Sequence, residues 1–197
     1  MKKILLVILL SVSLAACQKE IVYTRPILPE PHPEMVYTDL GNVSVKFGKQ
    51  KAVDIDGDNA IDLLFSTMLV GDPILRRDKR QYYVNAFFDV FLLTNDHEET
   101  PALNYRDAIT IGNHTTFNWY NASSVVVAEK IIEQTGPVHW EGNWKNADHK
   151  YLAVQLRKAD LLYTGWVEAS FKADTEELIL HRAAIAVKPG KNIKAGF

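Results

Sequence analysis

Val53-Asp54-Ile55-Asp56-Gly57-Asp58-Asn59-Ala60-Ile61-Asp62-Leu63-Leu64-Phe65-Ser66 sets four carboxylates within nine residues and then turns apolar without a break. The second half, continued by Thr67-Met68-Leu69-Val70, reads as a buried β-strand. The first half has the spacing of a calcium loop. Calcium takes roughly six to eight hard oxygens on a chain that can wrap a sphere. Asp54, Asp56, Asp58 and Asp62 fall at loop positions 1, 3, 5 and 9, and the carbonyl of Ala60 falls at position 7. Gly57 lets the backbone fold inward, and Asn59 tolerates the left-handed conformation better than most residues. An EF-hand closes on a bidentate glutamate at position 12; here that position is Phe65, so the loop is of another kind. A solvated acidic turn is the alternative, but four crowded carboxylates repel one another unless a cation neutralises them. Because the loop runs straight into core, the expected role of the ion is structural.

The stretch resembles the loop of FG-GAP (integrin α-subunit) repeats, D-x-[DN]-G-D-G-x-x-D-[IL], through Asp54, Asp56, Gly57, Asp58, Asp62 and Leu63, with Asn59 in place of the second glycine. It occurs once, and a propeller needs several repeats. The resemblance therefore implies the metal site and not the propeller.

The start of the chain places the domain. Met1-Lys2-Lys3 is a basic n-region, and Ile4 to Ala16 is an apolar stretch too short to span a bilayer. It ends in Leu14-Ala15-Ala16-Cys17, which resembles the bacterial lipobox. That resemblance implies cleavage after residue 16 and acylation (palmitate and a diacylglycerol) of Cys17, which anchors the protein in the membrane. Gln18 in place of Asp implies the outer membrane rather than inner-membrane retention. Cys17 is the only cysteine, which excludes disulfides and a thiol nucleophile. Loss of residues 1–16 removes Lys2 and Lys3 and leaves 20 basic against 24 acidic residues, net −4. That balance offers no footprint for nucleic acid. Residues 17–34 carry Pro26, Pro29, Pro31 and Pro33 and read as an extended stalk.

Residues 35–197 suit one domain with a real core. The patterning is mainly all-β: Val43 to Phe47 alternates, Gln81 to Thr94 reads as one long central strand with both faces apolar, and Tyr151–Leu156, Leu161–Lys172 and Leu178–Val187 follow between polar turns. This predicts a β-sandwich or jelly-roll with at most one short helix. The helix is assigned to Ser124–Gln134, although Val125-Val126-Val127 favours strand. Lys150-Tyr151-Leu152-Ala153-Val154, Tyr163-Thr164-Gly165-Trp166-Val167 and Pro189 to Gly196 resemble a group of uncharacterised Bacteroidetes secreted and lipoprotein β-domains. Thr164 interrupts the usual Tyr-Gly-Trp run and Ala153 replaces a glycine; the resemblance implies no activity.

Trp140 and Trp144, in the polar-flanked stretch Gly136 to Trp144, are the aromatics expected to be exposed, and with Trp119 they form the candidate ligand platform. The histidines make no HExxH, no G-x-S-x-G elbow is present, and no catalytic residue is assigned. Asp89, Glu141 and Glu168 are nominal carboxylates for glycoside hydrolysis. The expected function is a calcium-stabilised binding module for a glycan or an envelope protein. An enzyme acting on polysaccharide and a purely structural envelope component are the alternatives.

Overall fold

The structure, a computed structural model, describes residues 32–121 and 124–197. The expectations for residues 1–31, which include the leader, Cys17 and most of the Pro-rich linker, lie outside the described residues. Among the described residues there is no helix. Thirteen strands follow in order: β1 (Met35–Lys46), β2 (Lys51–Val53), β3 (Leu63–Asp72), β4 (Arg77–Ala86), β5 (Val90–Thr94), β6 (Ala108–Ile109), β7 (Asn118–Tyr120), β8 (Val125–Glu133), β9 (His139–Glu141), β10 (Lys150–Lys158), β11 (Leu161–Lys172), β12 (Glu177–Ala186) and β13 (Ile193–Lys194).

Two antiparallel sheets make a β-sandwich. One has six strands in the order β1-β12-β11-β10-β5-β7, the other five in the order β2-β3-β4-β8-β9. Alternate residues of both meet between them: Val154, Val167, Phe171 and Leu180 from the larger sheet, Leu63, Phe65, Tyr82 and Val84 from the smaller. The larger sheet is covered on its other face as well. Tyr151, Ala153, Trp166 and Ala184 pack there against Ile109, Ile193 and Ala195, which belong to the β6–β13 ribbon and the chain's last residues. Double cover explains why β10 and β11 read as almost unbroken apolar runs. His32 and Glu34, read as the end of the stalk, belong to this body: His32 stacks on Phe197 and the Glu34 carbonyl accepts Val187 N–H.

Two expectations are corrected. The run Gln81 to Thr94 is not one strand. It breaks at Phe87–Asp89, where Phe88 takes φ 42°, and the chain leaves the smaller sheet at β4 to enter the larger at β5. Both faces looked apolar because the two halves serve different sheets. Ser124–Gln134 is strand and not helix, since β8 pairs with β4 and β9. A bulge opposite Tyr82 and Tyr83 puts both Val127 and Ala128 into the core. The fully buried positions 125, 127, 128 and 131 therefore depart from strict alternation and imitate a helical spacing.

Candidate metal centre

The acidic stretch is the nine-residue loop that joins β2 to β3, closed at its base by Asp62 N–H donating to the Val53 carbonyl at 3.0 Å. Ile55 drops from it into the core and pins it to the sandwich. Gly57 and Asn59 take φ of 77° and 70°, the left-handed turns expected of them. The carboxylates organise the loop from inside. Asp54 accepts N–H bonds from Gly57 (2.7 Å) and Asn59 (2.8 Å), Asp56 from Asp58 (3.2 Å), and Asp58 from Ala60 (2.8 Å). A carboxylate has about four acceptor sites, so each keeps capacity for a cation.

Asp54, Asp56 and Asp58 converge, one oxygen from each lying within 4.8 Å of the others, and can hold a metal ion. Asp62 stands outside that group. Its Oδ2 accepts the buried Ile55 N–H at 2.7 Å. Burial, aided by the negative charges of Asp56, Asp54 and Asp58, pushes its pKa up to about 6 against the opposing Ile55 bond. Ala60 meets the loop through the N–H it gives to Asp58.

The site has a member that local spacing did not reveal. Lys158, at the end of β10, places its ammonium against Asp56 Oδ2 and, at 3.3 Å, against Asp58 Oδ2. The β10–β11 turn brings it there: Ala159 and Asp160 both have positive φ, the geometry of a two-residue type I′ hairpin. Asp56 Oδ2 is buried, and among the described residues the cation that faces it is the Lys158 ammonium. One hundred residues separate Lys158 from Asp58, and no local pattern signals the pairing.

The predicted platform is corrected. Trp144 is 1% exposed, with its Nε1 donating to the Thr100 carbonyl. Trp140 is half-buried against Tyr82 and Phe171. Trp119 belongs to the other core, its Nε1 donating to Thr110 and Gly112 carbonyls. Three indoles in two separate cores make no common surface. The nominal catalytic carboxylates are dispersed in the same way: Asp89 pairs with Arg157, Glu141 with His139, and Glu168 with Arg182 and His149.

Comparison with family models, with curated proteins and with solved structures found no match.

Proposed function

We propose that this chain is an outer-membrane lipoprotein in which acylated Cys17 tethers a calcium-stapled β-sandwich, and that the sandwich is a ligand-binding module. The reading keeps the resemblance to Bacteroidetes envelope domains. The observation that carries it is the charge of the β2–β3 loop. Three convergent carboxylates face one ammonium, which leaves two negative charges, the complement of one divalent cation. The donors are hard oxygens with no imidazole or thiolate among them, the chemistry of calcium rather than zinc or copper. A bound calcium would supply charge neutralisation to a loop whose negative charges add to burial in opposing the ionisation of Asp62. Asp54, Asp56 and Asp58 would hold it, and Ile55 transmits the loop's order to the core.

The lipobox-like leader supports a location outside the cytoplasm, where millimolar calcium suffices for affinities of about 10⁻⁴–10⁻³ M. The net charge supports a partner other than nucleic acid. The separate ion pairs of Asp89, Glu141 and Glu168 favour binding of a glycan or an envelope protein over polysaccharide hydrolysis, which needs two carboxyls across one bond. Titration calorimetry on metal-stripped protein tests the metal. The expected result is one calcium site in that affinity range, absent in Asp56→Ala. Heat that magnesium alone evokes, or none with either ion, would remove calcium from the account.

A further inference from the structure

The face of the larger sheet that carries Trp166 and Ala184 also carries a polar corner where β1, β12 and β11 lose their regular register. Glu168 pairs with Arg182 and Ala169 with Leu180, so His181 is an extra residue in β12. The bulge aims His181 and Arg182 to the same side, while Leu180 and Ala183 stay in the core. Opposite the same point β1 also bulges, between Asp39 and Val43. Asn42, within that bulge, and His149, just before β10, take left-handed φ of 52° and 47°, unusual for residues other than glycine. Both line one groove of about 510 Å³, together with Tyr37, Asp39, Glu168 and Arg182. Strained backbone and register breaks gathered at one concavity are the marks of a site.

The side chains are held for it. Glu168, whose side chain is 7% exposed, accepts Arg182 Nε at 2.5 Å and His149 Nδ1 at 2.7 Å. Burial works against its ionisation, but the bonds from Arg182 and His149 prevail and hold the carboxyl below its ordinary range. A carboxylate only accepts, so His149 donates to it through Nδ1–H, and its Nε2 remains as a second polar position on the ring. Arg182 lies over the Trp166 ring at 5.2 Å. A guanidinium has five N–H donors, and those not so engaged remain for the groove. The His149 ring stacks on His181 at 4.2 Å, and His181 is fixed by Asn42 Oδ1 at 2.6 Å and Ser170 Oγ at 2.8 Å. Ser170, His181 and Asn42 repeat the bonding order of a nucleophile relay. Ser170 is buried, however, and its Oγ already accepts His149 N–H at 2.9 Å, so it positions His181 and attacks nothing.

We infer that this groove is a saccharide-binding site. Vicinal hydroxyls need donors and acceptors side by side, which the Asp39 carboxylate (acceptor), Arg182 and the Asn42 amide (donors) and the polar edge of the His149 ring provide in one groove. Tyr37, 54% exposed at the groove's edge, offers a ring face for the apolar side of a sugar. The inference deepens the binding-module reading and rests on it, while moving the surface away from the indoles.

The test is affinity electrophoresis of the detergent-extracted full chain through native gels containing laminarin, xylan, dextran or polygalacturonate. At least one should retard the protein, and Tyr37→Ala and Arg182→Lys should each weaken that retardation about tenfold, with unchanged circular dichroism at the gel temperature as the control for folding. Arg182→Lys keeps a cation beside Glu168. Retardation by none of the four overturns the inference. Retardation that both variants retain also overturns it, while leaving the domain a glycan binder through another surface.

Discussion

Lys158 and Asp56 are the residues on which the candidate metal site turns. With the ammonium removed, Asp56 Oδ2 is a buried charge without a partner, and losing one member of such a pair costs about 3–5 kcal/mol when burial is complete. The Lys158 side chain is 43% exposed, so a smaller loss is expected, about 1–2 kcal/mol for Lys158→Ala in chelator. Calcium should restore more of the stability of this variant than of the parent, because three carboxylate charges then stand uncompensated where the lysine had left two. Urea unfolding with and without calcium measures both; an equal calcium increment in the two proteins would mean Lys158 is not part of the site. Trp144 makes a second prediction. Its indole is a core filler, so Trp144→Ala should cost about 3–5 kcal/mol, whereas an exposed platform residue would cost almost nothing. Glu168 contributes one part of the pH dependence. Its folded pKa lies below the unfolded value of about 4.5, so the unfolded chain binds the proton more readily. The stability from this group is present above about pH 4.5 and is lost as pH falls through the folded pKa. Thermal melts from pH 7 to pH 3 should show a shallower acid limb in Glu168→Gln, together with lower stability at neutral pH; parallel limbs would contradict the assignment.

At the scale of elements, the β4–β5 turn and β8 show what was legible in the sequence and what was not. Alternation and the turn residues identified the β class, and the acidic cluster that could hold a metal could be read because its three converging carboxylates lie within five residues of one another. The sheet switch at Phe88 could not be read, because an apolar run looks alike whether it crosses one sheet or changes between two. In β8 the bulge at Val127 and Ala128 altered the period itself, which is why a strand looked helical. The same physics hid the polar groove: Arg182 and His181 share a face only because of a bulge, and Lys158 reaches the loop only through the β10–β11 hairpin. Phe88, 90% exposed at positive φ, yields an element-level prediction. A left-handed non-glycine residue costs about 1–2 kcal/mol, part of which glycine returns as chain entropy. Phe88→Gly should therefore raise stability by up to about 1 kcal/mol in denaturant melts. A loss would show that the ring has a partner.

Taken whole, the molecule keeps its larger sheet covered on both faces, by the smaller sheet on one and by the chain's last residues on the other. The acidic loop stands between β2 and β3 and the polar groove on the opposite face of the larger sheet, so the proposed calcium is expected to act on stability and not as a ligand bridge. The proposed lipid anchor predicts that, in a bacterial host, Cys17→Ala moves the protein from the membrane fraction to the soluble one; unchanged membrane association would remove the anchor from the proposal. The central claim is tested most directly by the melting temperature in EDTA and in millimolar calcium, for the parent and for Asp56→Ala. The account predicts that calcium raises the parent's melting temperature, as a ligand of the folded state must, and leaves Asp56→Ala unmoved. Equal melting temperatures for the parent with and without calcium would contradict it.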